Sequence, residues 1–175
     1  LNDNASFFKE ELRREIISRF NEEKLYDGGL TIVTTLNEDF QLKSEIVFKN
    51  GLKNYTKRSG WNGPITNLSK NQNDNLIKQF IDYKKPHGLY GDKLALITKI
   101  NKNSIEVISK AEEVIKIETM NMDIIKDNDI DCRKYFKKGD VLVISRNEKL
   151  NLYELSDIPR VNGGMVVLEN DTGRV

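Results

Sequence analysis

The chain has 175 residues, 38% of them hydrophobic and 31% charged, enough to bury the core of one medium domain or of a small domain with appendages. Its 28 basic and 27 acidic residues leave a net charge of +1 and are interleaved along the chain, so there is no overall electrostatic footprint for nucleic acid. No apolar run is long enough to cross a bilayer or to form a signal peptide, and the single Cys132 and single His87 exclude an internal disulfide and a zinc site of the usual Cys/His spacing.

Between Ala5 and Phe20 the apolar residues Phe8, Leu12, Ile16 and Phe20 recur every four positions with Glu and Arg between them, which predicts an amphipathic helix that Asn4 can cap. After the Asp27-Gly28-Gly29 turn, the β-branched run Thr31 to Thr35 predicts a strand over Leu30 to Leu36. Asn37 then offers an N-cap, with Glu38 and Asp39 in a first turn where acids complement the helix dipole. The helix it starts carries Phe40, Val47, Phe48, Leu52 and Tyr55 and stops near Ser59-Gly60. Trp61-Asn62-Gly63-Pro64 breaks this pattern, and a polar stretch from Asn67 to Asn75 leads to a short helix from Leu76 to Tyr83 that Pro86 ends.

Alternating segments follow: Lys93 to Ile100, a turn at Asn101 to Ser104, Ile105 to Ile108, Val114 to Ile117, Val141 to Ile144 and Leu152 to Leu155. Short strands separated by polar turns predict a small antiparallel barrel or sandwich, not a parallel sheet. Lys138-Gly139-Asp140 is a tight turn feeding a strand, and Gly163-Gly164 precedes a last strand over Met165 to Leu168 and the turn Asn170 to Gly173. The chain starts at Leu1 without a methionine and stops at Val175 within what reads as a strand, so the expectation is a piece of a longer protein.

Several patterns invite a chemical reading. Asp127-Asn128-Asp129-Ile130-Asp131 starts like a calcium loop, but Cys132 stands where the tight turn needs glycine and Lys138 where a bidentate glutamate closes the site, so a charged surface loop is expected. A penicillin-reactive serine enzyme needs Ser-x-x-Lys, Ser-x-Asn and Lys-Thr-Gly together, to supply nucleophile, base and oxyanion-side contacts. Ser6-Phe7-Phe8-Lys9 matches the first, Ser69-Lys70-Asn71 and Ser145-Arg146-Asn147 match the second, and no Lys-Thr-Gly exists. Such short matches arise by chance in a chain rich in Lys and Asn, and the same holds for the glycosylation-like triplets at Asn4, Asn54, Asn67 and Asn170. His87, in the turn Lys85-Pro86-His87-Gly88, reads as an exposed loop histidine and not as part of a triad. Lys49, Lys53, Lys57 and Arg58 form a basic stripe at helical spacing that reads as a solvated face, and Trp61 near Tyr55 reads as a packing anchor before a base-stacking platform. No catalytic, cofactor-binding or metal-ligating residue is assigned, and no cofactor is expected.

Three segments together resemble class A penicillin-binding proteins. The first runs from Ala5 to Ile16 into Leu25-Tyr26-Asp27-Gly28-Gly29-Leu30-Thr31-Ile32-Val33-Thr34-Thr35-Leu36-Asn37. The second is Phe48-Lys49-Asn50-Gly51-Leu52, Tyr55, Arg58 and Gly60-Trp61-Asn62-Gly63-Pro64. The third is Lys138 to Val143, Ile158 to Leu168 and Asp171 to Val175. The resemblance implies the region between the two catalytic domains of such a protein: a lead-in to the transpeptidase domain, an OB-type barrel, and a strand re-entering the transpeptidase sheet upstream of its catalytic serine. The expected fold class is therefore α+β, a small antiparallel OB-type β-barrel with flanking helices and two strands of a truncated transpeptidase sheet. Residues 1–62 are expected as the lead-in, 63–156 as the barrel and 157–175 as the returning strand.

The function so implied is that of a non-catalytic inter-domain module of a bifunctional peptidoglycan synthase, a glycosyltransferase and D,D-transpeptidase on the periplasmic side of the bacterial inner membrane. It would space or regulate the two active sites. Its partners would be the other domains of the same protein and an outer-membrane activator protein or peptidoglycan, with the membrane reached only through an N-terminal anchor outside these residues. The alternative is an OB protein that binds single-stranded nucleic acid, against which the charge balance and the few aromatics of the barrel region argue.

Overall fold

A computed structural model describes residues 5–69 and 75–174. Its elements in chain order are α1 (Ser6–Phe20), α2 (Glu22–Asp27), α3 (Glu38–Ser59), β1 (Thr66–Asn67), α4 (Leu76–Asp82), β2 (Lys93–Ile100), β3 (Ser104–Ser109), β4 (Val114–Glu118), a 3₁₀ turn (Thr119–Asn121), α5 (Cys132–Tyr135), β5 (Asp140–Asn147) and β6 (Leu152–Ser156). The chain divides into two compact units, one of residues 51–162 and one built discontinuously from residues 1–50 and 163–175.

The larger unit is a Greek-key barrel. β2, β3 and β4 form an antiparallel meander, β5 returns to pair with the free edge of β2, and β6 pairs with β5. β4 and β6 approach to within 8 Å between Cα atoms, which brings the two ends of the sheet together. A five-stranded, partly open barrel of this connectivity is the OB type. The fold class is thus α+β, with the six strands in one antiparallel sheet.

Alternation explains why the central strands read as continuous apolar runs. On β2, Ala95 and Ile97 point into the barrel while Leu94 and Leu96 point out, and on β5 Leu142 and Ile144 point in while Val141 and Val143 point out. Both faces are covered. The inner set packs with Ile105, Val107, Ile115 and Ile117 from β3 and β4, and the open end of the barrel is filled by the connection between β4 and β5 through Met122, Ile124, Ile125, Cys132 and Phe136. The outer set is covered by α4, whose Phe80 is fully buried against Leu89, Leu94, Leu96 and Val143. Asn75 caps α4 by accepting a hydrogen bond from the Ile77 amide at 3.0 Å.

The turn before β5 fixes where that strand begins. Gly139 has φ +87°, and a side chain there would meet the backbone of Ser69 at 3.0 Å, so glycine is demanded twice over. The buried Asp140 carboxylate then accepts from the Lys137 amide at 2.7 Å and from the Asn67 side-chain amide at 2.7 Å, which ties β1 to the start of β5.

In the smaller unit, α1 carries Ile16 buried and Phe8 and Leu12 half-buried, as the four-residue spacing predicts, but Phe20 is half exposed. The expected cap residue Asn4 lies outside the described residues. Asn37 does cap α3, accepting from the Phe40 amide at 3.1 Å. The returning segment passes over α3 at Gly163, where any side chain would come within 3.2 Å of the Phe48 ring.

The two strands expected over Leu30 to Leu36 and Met165 to Leu168 are not strands in the structure. Both segments lie outside every strand of the fold, and among the described residues neither joins a ladder, with each other or with the barrel. A strand is made by its partners, since backbone donors and acceptors need a neighbour to pair with. The smaller unit contains no strand among its described residues, so β propensity alone leaves these segments outside any ladder, with Leu30, Ile32, Val33 and Met165 to Leu168 exposed. The expected turn that follows them is present: the Glu169 amide donates to the Arg174 carbonyl and the Gly173 amide to the Glu169 carbonyl, each at 2.8 Å.

Candidate functional site

A set of polar contacts joins the C-terminal half of α3 to the barrel. Leu52 and Thr56, one turn apart, are the buried residues of α3, so this half of the helix lies against the barrel wall. Thr56 satisfies its buried hydroxyl by donating to the Leu52 carbonyl at 2.9 Å. Between them Lys53 reaches the buried Asp92, Nζ to Oδ1 at 2.6 Å, while the other carboxylate oxygen accepts from the Ser156 hydroxyl at 2.8 Å. One carboxylate thus connects α3, the loop before β2 and the end of β6. Lys57, a turn further on, lies 3.3 Å from Asp123 and 3.9 Å from Glu154.

The chain leaving α3 is fastened next. Trp61 donates its amide to the Ile124 carbonyl at 3.0 Å and sets its ring 5.0 Å from that of Phe136, which closes the barrel end. Asn62 donates from both its amide and its side chain to Asp157 Oδ2, at 2.9 and 3.0 Å. Lys53, Lys57, Ile124, Glu154, Ser156 and Asp157 line a groove of about 220 Å³ along this seam. Its lysines and acids answer one another, so the seam works as a clamp.

The residues singled out in the sequence fall as follows. Three residues of the basic stripe meet carboxylates, Lys49 with Glu45 at 3.1 Å and Lys53 and Lys57 with the acids above, while Arg58 lies 6.0 Å over the ring of Tyr55. Ser6 is the exposed first residue of α1, and Ser145 and Asn147 sit on β5, where Asn147 donates to Glu154 at 2.6 Å. Ser69 bonds Asn67 within its own turn, and Lys70 and Asn71 lie outside the described residues. His87 is exposed.

The acidic loop uses its carboxylates locally. Asp127 accepts from the Tyr135 hydroxyl at 2.5 Å, a bond that holds the carboxyl below its usual range and the phenol above its own. Asp131 caps α5 through the Arg133 amide and chelates the Arg133 guanidinium, which lowers its pKa to about 2. Burial pushes the Cys132 thiol up, away from reactivity. Among the described residues no group of three or more His, Cys, Asp or Glu is placed to hold a metal. Asp92 was not foreseen: it follows Gly91 in a turn, and its partner Lys53 is 39 positions away, so nothing local marks it as buried.

A barrel of OB type joined to a helix by a polar clamp defines a class of module. The comparisons with known proteins place it. The family model described as "Penicillin-binding protein OB-like domain" matches residues 61–161. Penicillin-binding protein 1A of Rickettsia prowazekii is 31% identical over 172 residues, which is 98% of this chain and 21% of that protein. Its counterpart in Pseudomonas aeruginosa is 29% identical over 119 residues, covering 67% of this chain and 14% of that protein. The crystal structure of penicillin-binding protein 1A from Haemophilus influenzae superposes with a TM-score of 0.68 over 89% of this chain and 22% of the other, at 24% identity, which shows a shared fold. The chain belongs to the penicillin-binding proteins, in the OB-type region of the class A members. It spans about a fifth of the length of the curated relatives it matches.

Proposed function

We propose that this chain is a non-catalytic inter-domain module of a bifunctional peptidoglycan synthase, which spaces and orients a glycosyltransferase site and a D,D-transpeptidase site on the periplasmic side of the inner membrane. The observation that carries this reading is the discontinuity of the smaller unit: residues 1–50 and 163–175 fold together, and the barrel is inserted between them. The end of the helix entering the insertion is clamped to the barrel through Lys53, Asp92 and Ser156. Leu30, Ile32, Val33 and Met165 to Leu168, exposed and outside every ladder among the described residues, support a host sheet supplied by the rest of a longer protein. The barrel surface is where an outer-membrane activator or peptidoglycan would dock, and the pairing of the basic stripe with carboxylates leaves it ill suited to nucleic acid.

The test replaces residues 61–161 of the longer protein with a short flexible linker. Glycan polymerisation and labelling by a fluorescent β-lactam are expected to persist, while crosslinking of newly made glycan falls, because each active site survives but their spacing is lost. Unchanged crosslinking contradicts the spacer reading. A β-lactam label on the isolated 175-residue chain, removed by Ser6→Ala, contradicts the non-catalytic one.

A further inference from the structure

On the barrel, bordered by the clamp residue Asp92, Lys85, Lys93 and Lys110 line a second recess, of about 240 Å³, floored by the buried Leu89 and Leu94. Lys93 and Lys110 differ from the four lysines of the barrel unit that lie against carboxylates. Lys53, Lys57, Lys99 and Lys116 each lie against a carboxylate, at 2.6 to 3.3 Å, and are neutralised by it. Lys93 instead donates to the Tyr153 hydroxyl at 3.0 Å and lies over that ring, and Lys110 donates to the carbonyls of Ile81 and Tyr83 at the end of α4. Neutral acceptors fix an ammonium in place without cancelling its charge, and each ammonium has three donors.

Two further groups complete the recess. The Ser109 hydroxyl accepts from the amides of Ala111 and Glu113, both at 3.2 Å, which orients its oxygen and leaves its proton to donate. Asp92, at the edge of the recess, is already occupied by Lys53 and Ser156. Glu113 is the acid that acts on Lys93, and Arg146 adds a further positive charge nearby.

We propose that this recess binds an oxyanion, a phosphate or carboxylate, carried on an apolar body that lies over Leu89 and Leu94. Charge-assisted hydrogen bonds from the pre-positioned Lys93 and Lys110, joined by Lys85, give the anion its hold, since the two held side chains have little freedom left to lose on binding. The same chemistry is offered by a soluble amphiphilic anion and by the headgroup of an anionic lipid.

The experiment titrates the chain with hexyl phosphate and with inorganic phosphate, followed by amide shifts, in the native sequence, in Lys85→Gln/Lys93→Gln and in the control Lys99→Gln. Lys110 is left in place because it caps α4. Saturable binding of hexyl phosphate, tighter than that of inorganic phosphate, weakened about tenfold in the double variant and unchanged in the control, is expected. Absence of saturable binding, or equal binding by the double variant at unchanged fold, overturns the proposal. Co-sedimentation with phosphatidylglycerol vesicles, against phosphatidylcholine, assigns the source: capture that the double variant loses identifies a lipid headgroup, and hexyl phosphate binding without capture identifies a soluble anion.

Discussion

Leu96 and Val33 both stand in short aliphatic runs that favour strands, yet Leu96 is fully buried and Val33 is 91% exposed. The difference lies in what surrounds the backbone. β2 has β3 on one edge and β5 on the other, with the barrel interior beneath it and α4 above. The segment containing Val33 has no ladder partner among the described residues, so the same local propensity yields exposed chain that is not a strand. Strand propensity expresses itself only where a pleated, partly covered surface is on offer.

The largest effect that can break this comparison comes from truncating the two aliphatics. Leu96→Ala removes packing from a site with no room to relax and is expected to cost about 2–5 kcal/mol, whereas Val33→Ala is expected to change stability by less than about 0.5 kcal/mol. Urea unfolding of both variants decides it. Equal losses mean that the segment around Val33 is packed after all.

The clamp is next in size. Asp92→Ala strands the Lys53 ammonium and the Ser156 hydroxyl, and the expected loss is roughly 2 kcal/mol, less than for a fully buried pair because Lys53 keeps 27% of its side chain in solvent. Combined with Lys53→Met, the loss is expected to fall short of the sum of the single changes. An additive double variant rules out the pairing as the source of the effect.

A smaller effect sharpens the comparison by pH. The Arg133 guanidinium holds the Asp131 carboxyl at about 2 against an ordinary 3.8. A carboxyl lowered on folding stabilises the native state above its unfolded value, and that contribution fades as the pH falls from about 4 through about 2. Asp131→Asn keeps the cap on α5 and loses the charge. Its stability deficit relative to the native sequence is expected to be present at pH 7 and to close toward pH 2, and a gap that does not change with pH contradicts the electrostatic origin.

What was legible in the sequence follows the same physics. β2 was read with its observed bounds, and β3 to β6 within a few residues, because alternation and turn residues such as Gly139 are local signals. The connection that fills the barrel end was read only as an acidic loop. Met122, Ile124, Ile125, Cys132 and Phe136 follow no period, and they are buried because the barrel has an open end to fill. The short α2, six residues without an apolar face, left no periodic trace either. The clamp could not be read at all, since Lys53, Asp92 and Ser156 are brought together by barrel closure alone.

Of the two regions, only the barrel strands are held in a ladder, while residues 31–33 and 165–168 belong to none among the described residues. Hydrogen exchange of the 175-residue chain, resolved by segment at a concentration where it is monomeric, tests this most directly. The amides of β2 and β5 are predicted to exchange only through global unfolding, while residues 31–33 and 165–168 exchange at near-unprotected rates. Protection of residues 31–33 equal to that of β2 in a strict monomer would contradict the account.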